Sequence, residues 1–127
     1  MTRPVQLGEL QLAIMRVLWE RGEAAAAEVH RALLSERGLA PTTIATMLTK
    51  LERKGVIDHR VEGRRFIYRP LVSEERVTRS MVALLTERLF GGDPMALVSH
   101  LLGEQDLEDE ELERLHELLA RRRDEED

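Results

Sequence analysis

From Leu10 to Leu51 the apolar residues recur at intervals of three and four; from Ile57 the interval drops to two, and beyond Ser73 the longer spacing returns. A period of about 3.6 residues is the mark of a helix with one buried face, and a period of two that of a half-buried strand. The chain must therefore build helices, one short β element, and helices again.

The first block divides into three helices. In "ELQLAIMRVLWER", Leu10, Ile14, Val17 and Leu18 form one stripe, with Gly8 a permissive N-cap and Gly22 a stop. "EAAAAEVHRALLSER" is rich in alanine, the best helix former; Val29 and Leu33 mark its buried side and Gly38 ends it. The third helix opens at Pro41 or Thr42 and closes at Gly55. Linkers of a few residues force these helices into a compact bundle, and Trp19, the single tryptophan, belongs to its core.

The alternating block is "VIDHRVEGRRFIYRP". Ile57, His59 and Val61 share one strand, Phe66 and Tyr68 the next, and Glu62-Gly63-Arg64 makes the turn between them. An isolated hairpin is marginal in water, so it must lie against the helices. Three helices and a hairpin describe a winged helix-turn-helix. The expected fold is mainly α with a small β-hairpin: a winged helix-turn-helix over residues 1–72, then a C-terminal helical dimerisation region over 73–127. In that second region Ser73 caps a helix, Gly91-Gly92-Asp93-Pro94 breaks it, Asp93 caps a short helix, and "EDEELERLHELLARRR" forms the last; the terminal "DEED" is expected to fray.

The net charge of −5 argues against nucleic acid until it is divided. Residues 1–80 carry 14 basic and 10 acidic groups, residues 81–127 carry 5 and 14, and the stretch 41–69 holds 7 basic groups against 3 acidic. The footprint of a DNA binder is local and a whole-chain balance can hide it. The third helix sharpens the point. Ile44, Met47, Leu48 and Leu51 form its apolar side, while Thr42, Thr46, Thr49, Lys50 and Arg53 lie away from it; with Thr43 and Ala45 these are the helix's candidate DNA-binding residues. Threonine is a mediocre helix former, so its repeated use on a wet face is a cost without an obvious structural return. A helix entering the major groove needs short hydroxyls near its N-terminus, where the backbone approaches the bases, and long cations further along to reach phosphates. A solvated basic helix would show the same face; the two preceding helices and the hairpin favour DNA. On the hairpin, Arg64 and Arg65 at the tip are assigned to DNA, with Arg60 and Arg69 adding positive charge; the other role of such charge is to block edge-strand aggregation.

The second region is overloaded with large apolar residues. Leu85, Leu89, Phe90, Leu97, Val98, Leu101, Leu102, Leu112, Leu115 and Leu119, the candidate dimer-interface residues, together with Leu84, Met95 and Leu118 exceed what three short helices can bury. A second copy of the chain related by two-fold symmetry would cover them; folding back onto the winged domain is the other outlet. Catalysis finds no support. His30, His59, His100 and His116 each lie in a different element, and no Gly-rich phosphate loop, nucleophile elbow or H-E-x-x-H is present. Glu113 and His116 spell one E-x-x-H, which a leucine- and glutamate-rich helix produces by chance. No catalytic residue, metal site or cofactor is expected. There is no cysteine, no run of about 18 apolar residues and no apolar leader at the start, so the expected compartment is the cytoplasm, with no membrane insertion.

Taken together, "ELQLAIMRVLWERGEA", "EVHRAL", "PTTIATMLTKLERKGVIDHRVEGRRFIYRPLVS", "RLFGGDPMALVSHLL" and "LEDEELERLHELL" make the chain similar to the penicillinase-repressor family, the BlaI/MecI type with its copper-responsive relatives. The resemblance implies a homodimeric transcriptional repressor whose third helix reads an inverted-repeat operator. It also implies release from DNA by proteolysis in the dimerisation region, downstream of a membrane-bound sensor metalloprotease. Two departures follow. Copper-responsive members use C-terminal cysteines that this chain lacks, and His100-Leu101 stands where the antibiotic-resistance repressors have the cleaved Asn-Phe pair. A winged helix that binds only protein is the competing reading. The operator, the regulated genes and the inducing signal lie beyond the sequence.

Overall fold

A computed structural model describes residues 4–104 and 106–126, apart from the side chains of Glu36, Arg37 and Glu104. The elements follow as α1 (Glu9–Arg21), β1 (Ala24–Ala25), α2 (Ala26–Arg37), α3 (Pro41–Arg53), β2 (Ile57–Glu62), β3 (Arg65–Pro70), α4 (Glu74–Phe90), α5 (Pro94–Glu104) and α6 (Asp109–Glu126). They divide into two compact units, Met1–Leu84 and Leu85–Asp127.

The first unit is the helical bundle with its wing. Ile14, Met15 and Leu18 of α1, Val29 of α2, and Ile44, Leu48 and Leu51 of α3 meet with exposures of at most 1%. Ile57 and Tyr68 bring the hairpin onto this core, and Val72 and Val77 join the same cluster. Caps fix the helix entries. The Gly8 N–H donates to the Gln11 carboxamide (3.1 Å), and Ser73 Oγ accepts from the Arg76 N–H (3.1 Å). Lys54 Nζ donates to the Gln6 carbonyl (3.0 Å) and to Gln11 Oε1 (2.8 Å), tying the segment before α1 to the end of α3.

Four features differ from the sequence-based expectation. Ala24 and Ala25, read as helix, form a strand opposite Tyr68 and Ile67, giving a three-stranded antiparallel sheet in the order β1-β3-β2. Alanine favours helix intrinsically, but here the open edge of β3 supplies partners, and Glu28 Oε1 accepts the Ala25 N–H (3.1 Å) to start α2 one residue later. The hairpin loop is only two residues, Gly63 and Arg64, with Glu62 paired to Arg65; Gly63 takes φ +64°, which a side chain would resist. Trp19 is half-buried at the rim of the core, its indole N–H donating to the Val72 carbonyl (2.8 Å). Finally, Asp124, Glu125 and Glu126 continue α6 where fraying was expected, helped by an i,i+4 pair of Arg122 with Glu126 (3.5 Å); Asp127 lies outside the described residues.

The first compact unit also extends past Val72. Val77 is 1% exposed within its core, and Ser80 Oγ accepts the Val5 N–H (2.5 Å). The opening turns of α4 therefore pack with the winged bundle.

The second unit contains the end of α4 with α5 and α6. Asp93 Oδ1 caps α5 by accepting the Met95 N–H (2.9 Å), and the Phe90 and His100 rings lie 5.7 Å apart. Its apolar residues stay wet: Leu85, Leu89, Val98, Leu101, Leu102, Leu112 and Leu119 are exposed, Leu89 to 70%, while Phe90, Leu97 and Leu115 are half-buried.

Candidate nucleic-acid interface

The two faces of α3 are cleanly separated. Ile44, Leu48 and Leu51 are sunk in the core. Thr42, Ala45, Thr46, Thr49, Lys50 and Arg53 are exposed and Thr43 half-buried. At 3.6 residues per turn the six exposed positions fall within roughly 140° of the circumference. Pro41 at the first position needs no hydrogen bond from its missing N–H, and Ala40 precedes it in extended conformation.

The threonines differ from the expectation in one respect. Thr46 Oγ1 donates to the Thr42 carbonyl (2.9 Å) and Thr49 Oγ1 to the Ala45 carbonyl (3.1 Å). Their protons are spent on the helix itself, as mid-helix threonines often do. Each then presents oxygen lone pairs and a methyl group. That suits accepting from an adenine or cytosine amino group, or packing on a thymine methyl.

The wing is less positive than its arginine count suggests. Arg69 grips Asp58 through two hydrogen bonds (2.6 and 3.0 Å), and Arg60 bridges Glu62 (2.6 Å) and Glu23 (2.7 Å). Hydrogen bonding to Arg69, then its charge, holds the Asp58 carboxyl below the ordinary carboxylate range, and Arg60 does the same to Glu62. Arg65 Nη1 stands 3.9 Å from Glu28 Oε1. Arg64, at the turn, is exposed and makes no ion pair among the described residues. The sequence-predicted residues thus fall into two groups on the same unit: the α3 face, and a wing tip whose freest cation is Arg64.

Sequence reasoning missed two contributors. Lys54 anchors the N-terminal segment, and Glu52, the single carboxylate of α3, turns to Nδ1 of His59 on β2. The signal for the second was present: Glu52 falls off the threonine face by helical geometry, and His59 falls on the apolar side of the hairpin by alternation. Elsewhere, no three metal-ligating side chains converge among the described residues, and no described helix is long and apolar enough to cross a membrane.

The family profile described as "Penicillinase repressor" matches residues 7–121. The chain belongs to the penicillinase-repressor family. It is 30% identical to the penicillinase repressor of Bacillus licheniformis over 114 residues, covering 90% of this chain and 89% of that protein. To the transcriptional regulator BlaI of Mycobacterium tuberculosis it is 33% identical, covering 80% and 75%. Among solved structures, the monomeric form of B. licheniformis BlaI in complex with the blaP half-operator superposes with a TM-score of 0.51 at 34% identity, covering 60% of this chain and 93% of that one.

Proposed function

We propose that the chain represses transcription as a homodimer on a two-fold operator, each copy reading one half-site with α3. Membership of the family makes it a DNA-binding transcriptional repressor rather than an enzyme. In this reading Thr42, Thr43, Ala45, Thr46 and Thr49 lie against base edges, Lys50 and Arg53 take phosphates, and Arg64 and Arg65 carry the wing onto the backbone or into the minor groove. The winged domain over 1–72 does the reading, and the region 73–127 holds two copies together through Leu85, Leu89, Phe90, Leu97, Val98, Leu101, Leu102, Leu112, Leu115 and Leu119.

The observation that carries it is the exposed face of α3: threonine, alanine and cations, with the helix's one acid turned aside. Derepression follows from the division of labour. A cut between about Glu87 and Leu112 uncouples the two copies and leaves α3 untouched, and a membrane-bound sensor metalloprotease acting in the cytoplasm supplies such a cut. A mobility-shift titration with a duplex from the region upstream of its own gene tests the reading. Specific retardation that weakens steeply with added salt is expected, because phosphate contacts release counterions. Equal affinity for that duplex and for random DNA overturns operator reading, and no retardation of either leaves a protein-binding module.

A further inference from the structure

Glu52 and His59 sit where α3 meets the wing. Their side chains are 37% and 27% exposed, and the Glu52 carboxylate contacts His59 Nδ1. The His59 ring stacks on Phe66, centroids 4.2 Å apart and planes 17° from parallel, and lies 5.6 Å from Tyr68. Phe66 is diagonal to His59 in the ladder, which pairs His59 with Tyr68 and Val61 with Phe66. Tyr68 is rooted in the core, where burial first and the Glu52 charge second push its hydroxyl above the ordinary value. The histidine is thus held on one side by the reading helix and on the other by the outer half of the hairpin. No second side-chain hydrogen bond joins α3 to β2 or β3 among the described residues.

We propose that Glu52 and His59 are a positioning pair that locks the wing to the reading helix, so that Arg64 and the threonine face meet the duplex as one rigid unit. The inference rests on the reading of Arg64 as a DNA contact. A two-stranded ribbon is marginal by itself, and its tip reaches beyond the core residues that hold its base. Without the pair, ordering the tip must be paid for at the moment of binding; with it, the tip is ordered beforehand. The same contact holds the only negative side chain of α3 against an imidazole rather than beside the phosphates.

The test is a double-mutant cycle on the full-length protein. Operator affinity is measured by fluorescence anisotropy at two salt concentrations, with thermal melting to verify folding. Glu52→Leu removes the acceptor; His59→Phe keeps the ring stack and removes the nitrogen, giving a second break if the first fails to fold. Each is expected to lower affinity about tenfold, and in either background Arg64→Ala is expected to cost far less than it does in the wild type. Glu52→Gln, whose amide oxygen still accepts from Nδ1, is expected to restore both affinity and the full Arg64 effect, which a merely structural role would not produce. If Arg64→Ala costs the same factor with and without the pair, the wing reading stands and this inference alone is overturned. If Arg64→Ala is silent in the wild type, the wing reading fails and the inference falls with it.

Discussion

Thr46 shows how much a single side chain's hydrogen bond changes what it can read. With its proton donated to the Thr42 carbonyl, it is left with an acceptor and a methyl group for the proposed contact with DNA. Thr46→Ala removes both and is expected to cost about 1–3 kcal/mol on the operator, the size of a good base-edge contact, and less on random DNA. Thr46→Val separates the two, since it keeps the methyl and loses the oxygen: retained affinity means methyl packing, and loss equal to Ala means the oxygen accepts. Equal losses on operator and random DNA would mean Thr46 touches only backbone. Arg64 and Arg65 separate in the same way. Arg65 faces Glu28 at 3.9 Å and Arg64 has no such competitor among the described residues, so Arg64→Ala is expected to weaken binding more and to reduce the salt slope by about one. A larger loss from Arg65→Ala would reverse that ranking. Neither distinction was legible in the sequence, because a threonine's rotamer and an arginine's partner depend on residues distant along the chain.

At the scale of elements, period and punctuation carried most of the fold. The stripe Leu10, Ile14, Val17, Leu18 and the glycines at 22 and 38 located α1 and α2, and alternation located β2 and β3. The failures share a cause. Ala24-Ala25 looks like helix because alanine has high helix propensity, and it becomes strand only because β3 offers an open edge; the sequence has no local mark of that edge. The wing's positive charge was overcounted because Asp58 and Glu62 lie close to Arg69 and Arg60 only once the strands pair. These pairs make an acid-range prediction. The Asp58 carboxyl is held below its ordinary value by Arg69, so its stabilising contribution is present above that ordinary value. It is lost as pH falls through the depressed one, below about pH 4. Because both groups are exposed the effect is small. Asp58→Asn is expected to leave the melting temperature near pH 7 almost unchanged and to flatten its decline on the acid side; a large loss at neutral pH would show that the pair does more than the geometry supports.

At the scale of the molecule, the position of Val77 changes where the reading half can be detached. A chain ending at Val72 would lose Val77 from the core and the Ser80 contact to Val5, so it is expected to melt early. A chain ending at Leu84 keeps the whole first compact unit and is expected to fold. Lacking the exposed leucines of α5 and α6, it should be monomeric by sedimentation. It should match the full-length protein on an isolated half-site, yet bind the two-fold operator weaker by orders of magnitude. In the proposed dimer, two linked reading units would gain because the second half-site is met at high effective concentration once the first is bound. Leu101→Asp tests the same coupling without shortening the chain. Leu101 is 48% exposed in the single chain, so the substitution should leave each copy folded while placing an unpaired charge in the proposed dimer contact, at a cost of several kcal/mol there. Both variants should therefore lose operator affinity together with self-association. If either binds the two-fold operator as tightly as the full-length protein, the dimer is not what holds the repressor on DNA, and cleavage in the C-terminal unit could not release it.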